Sequence, residues 1–453
     1  MKYDIVILGG GPGGYWAAHR AAAAGLSVAL VEKNKLGGTC LNEGCIPSKA
    51  FLQSAKVADY AKHAEAYGVG ASLIQVSQKA VVDRKNRITR KLVGGIKVSM
   101  REAGVNVVDG IGRLVKTAEG VAVCVGEENY LGKDIIVATG SVSAVPPIEG
   151  VREGLESGLV LTNKEILDLT VIPGSLVVIG GGVIGLEMAS YFNSAGSKVT
   201  VVEMLPHIAG QTDAGISEML KNVYTKKGIE FIMGAKVTSV SPQGVSYELD
   251  GQTSTVPAEK VLMSVGRKPN TVGIGLEDVG FETIRGAVVT DARMRTNIPH
   301  IYAVGDVNAK VMLAHTAYRE ADVAVNVILG QQDEMSYNAI PSVIYTNPEV
   351  ACVGYTLEQA KEKGINARLV SLPMQFSGRF VAENADLDGV CKLVVDSDKN
   401  TLVGVHLMGN GAGEIIYGVA MMIDLALDIE TIKRQIFPHP TVGEIIREGI
   451  FRI

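Results

Sequence analysis

One local pattern occurs twice in these 453 residues, and it fixes the class of fold. Tyr3 to Leu8 is a short apolar, β-branched run, and glycines cluster from Gly9 to Gly14. Tyr15 to Ala24 is then alanine-rich and stops at Gly25, and Ser27 to Val31 returns to strand character before Glu32. The succession recurs as the strand Ser175 to Ile179, the turn Gly180-x-Gly182-x-x-Gly185, the helix Leu186 to Ala195 closed by Gly196, and the strand Lys198 to Val202 leading to Glu203. Each is a βαβ unit with GxGxxG at its first turn and an acid ending its second strand. Backbone N–H groups at Gly9 and Gly11, and at Gly180 and Gly182, can approach a pyrophosphate at a helix N-terminus; Gly14 and Gly185 let helix pack on strand. Glu32 and Glu203 would accept the hydrogen bonds of a ribose diol. Two such folds imply two nucleotides. At the second, Glu203 repels a 2′-phosphate and the neighbours Met204 and Leu205 supply no arginine, so NAD(H) is favoured over NADP(H).

Between and after these units the chain reads as helices over 46–67 and 78–103, the second with Gly94 and Gly95 inside it. Short strands follow, ending in the apolar run Asp134 to Ala138 and the glycine turn Thr139-Gly140-Ser141. Pro146-Pro147 looks like a boundary, and the strand and turn Val261 to Asn270 is where the chain leaves the second nucleotide fold. Ile301 to Asp306 is another strand closing on a glycine and an acid, with a helix over 312–330 behind it. Residues 337–453 alternate strands with Gly- and Asn-containing turns and close on apolar helices, a mixed α+β domain. The expected class is α/β, with two Rossmann-like folds and an α+β C-terminal domain. The expected spans are 1–145 and 269–336 for the first fold and its central part, 146–268 for the second, and 337–453 for the last.

The length suits about three domains. Lys plus Arg number 43 against 48 Asp plus Glu, a net charge of -5 with no basic block, which argues against nucleic acid as a partner. Asp4 and the early glycines disagree with a signal peptide, and Pro173, several glycines and Glu187 interrupt the apolar stretch from Val171 to Phe192. The chain reads as a soluble, cytoplasmic protein.

Two of the five cysteines, Cys40 and Cys45, sit in Gly37-Gly38-Thr39-Cys40-Leu41-Asn42-Glu43-Gly44-Cys45-Ile46-Pro47-Ser48-Lys49. On a regular helix their Cα atoms would be roughly 8.7 Å apart, beyond the reach of a disulfide. Gly37, Gly38 and Gly44, permissive of positive φ, suggest an irregular backbone that could join them. So short a loop stabilises little as a staple, which favours a redox role. Spacing alone leaves two free buried cysteines open. Cys124, Cys352 and Cys391 lie singly in apolar surroundings and read as inert core residues in a reducing compartment.

These pieces together resemble the pyridine nucleotide–disulfide oxidoreductases of the glutathione-reductase-like fold, most closely the branch that oxidises dihydrolipoyl groups, the dihydrolipoyl dehydrogenases. The resemblance covers nearly the whole chain and is carried by Gly9–Gly14 with Glu32, the 37–49 segment, Ala138–Ser141, Gly180–Gly185 with Glu203, Gly266-Arg267-Lys268-Pro269-Asn270, Ala303-x-Gly305-Asp306, Met312-Leu313-Ala314-His315, and His439-Pro440-Thr441 with Glu444. It implies FAD on the first fold, with Glu32 at the adenosine ribose and Asp306 at the ribitol. Gly112, Thr139, Gly140, Ser141, Met312, Leu313, Ala314 and His315 would be further contacts. It implies NAD on the second, with Glu203 at the ribose and Val237 and Gly266 at the adenine and nicotinamide ends. Lys49 would lie near the flavin and pair with Glu187.

By the same resemblance Cys40 and Cys45 form a redox disulfide, Cys40 facing substrate and Cys45 facing flavin. His439, steadied by Glu444 and flanked by Pro438 and Pro440, acts as base on the cysteines of the other subunit of a homodimer, and Thr441 could cap the helix that follows. The implied reaction oxidises protein-bound dihydrolipoamide with NAD⁺ as acceptor; no metal is called for. The lipoyl group is expected on a separate protein of a 2-oxo-acid dehydrogenase complex or a glycine cleavage system. Phe437, Asn410 and the short C-terminus depart from the common pattern. The competing readings are a reductase of another disulfide or of mercuric ion, disfavoured by Glu203 and by the lack of C-terminal cysteines, and a non-catalytic flavin-bound assembly subunit or NADH sensor, for which Cys40, Cys45, His439 and Glu444 would be superfluous.

Overall fold

The computed structural model describes residues 1–384 and 387–453. The chain divides into two compact units, one of residues 1–50, 80–144 and 266–336, the other of 51–79, 145–265 and 337–453. The divisions at 144/145 and 265/266 fall beside Pro146-Pro147 and in the turn after Val261 to Met263, the two places where the sequence changes character.

The first unit is built on a sheet in which Asn106–Asp109, Val28–Glu32, Lys2–Leu8 and Glu128–Val137 run parallel, with Ile301–Ala303 parallel on the far side of Glu128–Val137. Gly120–Val125 and Gly112–Thr117 extend it antiparallel. Ile5, Val6 and Ile7 have no exposed surface, so this strand is apolar on both faces, as a central parallel strand must be. Helix Pro12–Ala23 starts with proline at its first turn, where a missing N–H costs nothing, and buries Gly13, Gly14, Ala17, Ala18 and Ala21. It packs on helix Ala314–Ile328, to which Arg20 and Trp16 are tied through Asp322. Register aligns Leu8 with Val137 and with Val31, which sends the C-termini of the parallel strands to one edge, the edge that carries the Gly9–Gly14 turn.

The second unit repeats the device. Glu230–Met233, Lys198–Glu203, Ser175–Ile179, Lys260–Met263 and Val160–Leu161 form a five-stranded parallel sheet, and helix Val183–Ala195 follows the Gly180–Gly185 turn. A three-stranded antiparallel meander, Lys236–Ser241, Gly244–Leu249 and Gln252–Val256, lies beside it. The C-terminal part is a five-stranded antiparallel sheet in the order Ser342–Ile344, Val350–Gly354, Thr401–Met408, Val390–Asp396, Ala367–Pro373. Its core of Leu393, Val395, Val405 and Leu407 packs with Ile416 of helix Ala412–Asp424 and Ile445 and Ile446 of helix Glu444–Ile450. Phe437 joins the same core from its edge, so at this position an aromatic ring contributes packing.

Two local expectations change, and one holds. The helix expected over 46–67 begins at Cys45 and ends at Lys62, with a separate 3₁₀ turn Ala64–Tyr67 behind it. Gly94 and Gly95 do lie inside helix Gln78–Glu102, where a Cβ would meet nothing within 4 Å, so they mark no close packing. Cys124 and Cys352 are partly rather than fully buried; of the three free cysteines, Cys391 alone has no exposed surface. Among the described residues, no helix is long and apolar enough to cross a membrane.

Candidate active site

Cys40 and Cys45 are bonded to each other, with Cα atoms 4.7 Å apart. The backbone achieves this by interruption. Cys40 lies within the short helix Gly38–Glu43, Cys45 opens helix Cys45–Lys62, and Gly44 (φ -145°, ψ -108°) breaks the path between them. Gly37 (φ 96°) and Gly38 (φ 57°) adopt the left-handed conformations expected of them. Gly44 does not: its φ is negative, and glycine serves there because a Cβ would press on the Thr39 carbonyl oxygen at 3.1 Å. Asn42 ties the turn down by donating to the carbonyls of Leu36 and Gly38. Gly37 donates its N–H to the Gly10 carbonyl at 2.8 Å, so the disulfide segment is seated directly on the first glycine turn.

That turn divides its labour differently from the expectation. Gly9 has φ 108°, and a Cβ there would strike the Ala138 carbonyl, so the first glycine is demanded by the neighbouring strand. Gly14 would strike the Gly9 carbonyl. At Gly11 a Cβ would meet only the Gly38 Cα, 3.8 Å away, which leaves an open cradle at the start of helix Pro12–Ala23. Glu32, buried at the strand end, accepts from Gly10 N–H at 2.7 Å and Asn34 N–H at 2.8 Å, and each oxygen keeps a lone pair for a further donor. The second turn matches. Gly180 has φ 101° and abuts Ser264, Gly185 abuts the Gly180 carbonyl, Gly182 faces open space, and Glu203 accepts from Gly181 N–H at 2.6 Å and Leu205 N–H at 2.7 Å. Val237 lies on the edge strand of the meander and packs on the core of this fold.

Asp306 accepts a 2.5 Å hydrogen bond from Ser141 Oγ. Thr139 Oγ1 donates to the Asn270 carbonyl at 2.9 Å, and Asn270 N–H donates to the Gly140 carbonyl, which locks the 138–141 and 266–270 motifs together. Gly266 (φ 112°) accepts from Ala144 N–H. Met312 and Leu313 lead into helix Ala314–Ile328, which Ala314 and His315 begin without a side-chain cap; just behind them the buried Thr316 Oγ1 has no partner. Gly112 faces inward, where a Cβ would meet Leu8, Val31 and Val123, so its side is taken by the core and only its backbone is available. Lys49, in the first unit, reaches Ser48 Oγ at 3.4 Å. Glu187, in the second, is only 3% exposed and accepts from Tyr345 N–H at 3.1 Å.

His439 stands out from the second unit with its side chain 79% exposed, and its Nδ1 lies 2.9 and 3.1 Å from the two Glu444 oxygens. An ionised carboxylate only accepts, so Nδ1 carries the proton and Nε2 is left unprotonated. Glu444 also accepts from Thr441 N–H at 2.9 Å; that bond first, and then the one to His439, hold its carboxyl below the usual range. Thr441 does not cap helix Glu444–Ile450. Gly443 occupies the cap position, and Thr441 Oγ1 turns back to donate to the Pro438 carbonyl, closing the loop that presents His439. Ser377 Oγ braces the loop on the Thr441 carbonyl at 3.0 Å. Burial pushes the thiols of Cys352 and Cys391 up to about 11 and about 12, which removes them as nucleophiles.

The sequence profile described as pyridine nucleotide-disulphide oxidoreductase matches residues 3–321, and the profile of that family's dimerisation domain matches residues 340–450. The chain belongs to the pyridine nucleotide-disulphide oxidoreductases. Dihydrolipoyl dehydrogenase of Bacillus subtilis is 39% identical over 469 residues, spanning 99% of this chain and 97% of that one. The enzyme of the same name from Chlamydia muridarum is 37% identical over 448 residues, 99% and 96% of the two chains. Among solved structures, the Cu(II) complex of the HOCl-induced flavoprotein disulfide reductase RclA from Escherichia coli covers the whole of both chains with a TM-score of 0.88 at 28% identity.

As a pyridine nucleotide-disulphide oxidoreductase, this chain uses FAD and NAD(H). Its residues fit both: two glycine cradles open at Gly11 and Gly182, each underlain by a carboxylate. Two further residues escaped the sequence reading. Glu320, with no exposed surface, accepts from Gly305 N–H at 2.6 Å and Asn308 Nδ2 at 3.0 Å and so shapes the turn that carries Asp306. Its signal was an acid in the otherwise apolar inner face of helix Ala314–Ile328. Arg267, which lay within a recognised motif, donates from Nε and Nη2 to Ser141 Oγ and the Ser141 carbonyl.

Proposed function

We propose that this protein is a dihydrolipoyl dehydrogenase, oxidising protein-bound dihydrolipoamide to lipoamide with NAD⁺ as final acceptor. The observation that carries the reading is the Cys40–Cys45 disulfide seated on a nucleotide-binding glycine turn, in a chain whose relatives of that name match it end to end. In a homodimer, His439 Nε2 of one subunit takes the proton of a dihydrolipoyl thiol at the cysteines of the other. The thiolate attacks Cys40 Sγ, the Cys40–Cys45 bond breaks, and Cys45 leaves as a thiolate. The second lipoyl thiol then attacks the mixed disulfide, releasing lipoamide and leaving Cys40 reduced. FAD, held on the first fold, would supply a two-electron acceptor on the Cys45 side and a hydride donor for NAD⁺.

Gly11, Gly14, Glu32, Ser141 and Asp306 would hold FAD with Lys49 beside it; Gly182, Gly185 and Glu203 would hold NAD. The functional domains would run 1–145 with 269–336, 146–268 and 337–453, and the enzyme would act in the cytoplasm on a lipoyl-bearing protein of a multienzyme complex. Purified protein should be yellow and should reduce NAD⁺ with dihydrolipoamide. Activity with NADPH and glutathione disulfide, and none with the lipoamide pair, would overturn the assignment.

A further inference from the structure

Within the second unit, residues 204–213 join strand Lys198–Glu203 to helix Ala214–Lys226. The near end of this loop grips the second glycine turn: Gly181 donates its N–H to one Glu203 oxygen, Leu205 N–H donates to the other, and the Gly181 carbonyl accepts from Ala209 N–H at 2.8 Å. Ile208, with no exposed surface, lies against Gly181, where a Cβ would come within 3.1 Å of it. Beside that contact Ala209 has φ 65° and Gly210 φ 62°. Glycine takes up left-handed backbone freely and alanine does not, so Ala209 keeps this shape only because its surroundings enforce it. Two hydroxyls close the bend: Thr212 Oγ1 donates to the Ala209 carbonyl at 2.8 Å, and Ser217 Oγ to the Ile208 carbonyl at 2.9 Å. The far end is Asp213. Its Oδ1 caps the helix by accepting from Ile216 N–H at 3.0 Å, and the same oxygen accepts from Lys392 Nζ, on strand Val390–Asp396 of the C-terminal sheet, at 2.5 Å. The lysine and aspartate side chains are only 16% and 10% exposed. A Cβ on Gly215 would meet Nζ at 2.7 Å, so glycine at this place in the helix leaves the ammonium its room.

We propose that Lys392 is a positioning residue for NAD(H): by holding Asp213 it keeps the 204–213 loop in its left-handed form against the Gly180–Gly185 turn, so that a lysine of the C-terminal sheet tightens the nucleotide cradle. The proposal rests on the second fold's being the NAD site of the proposed function. An ammonium and a carboxylate so enclosed hold one geometry, because parting them would leave each charge with neither water nor partner. Lys392 acts through the loop. Once the pair is released, the bend loses the constraint that offsets the strain at Ala209, relaxes, and draws the Ala209 N–H and the Ile208 side chain away from Gly181. The peptide preceding Gly182 is then free to turn. A cradle that must be ordered anew as the nucleotide arrives binds it more weakly than one already in place.

The test is calorimetric binding of ADP-ribose, which has the adenosine and pyrophosphate but no nicotinamide, to the holoenzyme, beside hydrogen exchange in the 204–213 loop without nucleotide. Lys392→Met should raise the dissociation constant about tenfold and speed exchange at Ala209. Adding Ala209→Gly to that variant should recover about threefold, since glycine needs no enforcement at this φ. A role confined to stability would lower the melting midpoint yet leave binding and loop exchange, measured well below it, as in wild type. That result, weaker binding with unchanged exchange, or no recovery with Ala209→Gly would overturn the proposal. Should Lys392→Met fail to fold, the double variant Asp213→Asn with Lys392→Met removes both charges and keeps a helix cap, and it must show the same weakening and the same faster exchange. If wild type does not bind ADP-ribose, or Glu203→Ala binds it as tightly, the NAD reading of the second fold falls and this inference with it; normal binding by Lys392→Met defeats the inference alone. The measurement involves neither lipoamide nor the cysteines, so it can succeed where the lipoamide assay fails, and the reverse.

Discussion

Glu444 holds the loop before helix Glu444–Ile450 and its histidine with one carboxylate, since one oxygen takes both Thr441 N–H and a share of His439 Nδ1. Glu444→Gln offers that loop one acceptor and one donor in place of two acceptors, so the amide can satisfy Thr441 or orient His439 but supports no imidazolium. Disulfide turnover should fall about tenfold or more while reduction of the flavin by NADH is unchanged, as steady-state and stopped-flow assays would show. The pH dependence has a definite sign. The folded carboxyl titrates below its ordinary value, so its contribution is complete above the ordinary carboxyl range and is lost as pH falls through the depressed one. The wild-type carboxylate is fully ionised across about pH 6–8, so the variant's defect should be present throughout that range. A defect that disappears by the upper end of that range would mean that something other than the lost carboxylate is responsible.

At the scale of the element, the two glycine turns are nearly superimposable in logic, and the logic separates folding from binding within one motif. A Cβ at Gly185 would run into the Gly180 carbonyl and come within 2.6 Å of Ser264 Oγ, whereas at Gly182 (φ -77°, ψ -179°) it would enter open space from a conformation alanine accepts. Gly185→Ala should lower the unfolding midpoint by the equivalent of about 2 kcal/mol or more. Gly182→Ala should cost within about 1 kcal/mol of stability, yet raise the KM for NAD⁺ at least about tenfold by blocking one backbone donor from the pyrophosphate. Thermal melts and NAD⁺ kinetics on both variants check this, and equal effects on both properties would erase the distinction. These turns were legible in the sequence because everything that makes them lies within about 30 residues: strand, glycines, helix, strand, acid. The disulfide and the His439–Glu444 pair were legible through the resemblance, but the cross-links that brace the site were not. Arg267 meets Ser141 across 126 residues, which its motif does not reveal, and Glu320 meets Gly305 on the inside of a helix, where its acidic type is the sole local signal. Thr441 had the residue type of a helix cap, but the Pro438 carbonyl competed for its hydroxyl and won.

For the whole molecule the decisive question is which subunit supplies the base. The C-terminal residues match a dimerisation domain, and helix Ala412–Asp424 with its C-cap Leu425 exposes Tyr417, Met421 and Leu425 at intervals of four, one apolar stripe of the width a helix–helix contact buries. His439 is exposed on the same C-terminal part. If the stripe closes a two-fold dimer, each working centre combines the disulfide of one subunit with the histidine of the other. Complementation then follows from symmetry. His439→Gln and Cys45→Ser subunits, each inactive in disulfide turnover alone, form hybrids in which one centre has both its disulfide and its histidine and the other has neither. Random reassembly of equal amounts makes half the dimers hybrid, each with one working centre of two, so dihydrolipoamide oxidation should return to about a quarter of the wild-type rate. A histidine serving its own subunit's cysteines would leave both centres of every hybrid broken, and the mixture would stay as inactive as its parents. Substituting Met421→Asp in both subunits should abolish the recovery along with the dimer, read by light scattering, because a charge buried without a partner in that stripe costs several kcal/mol.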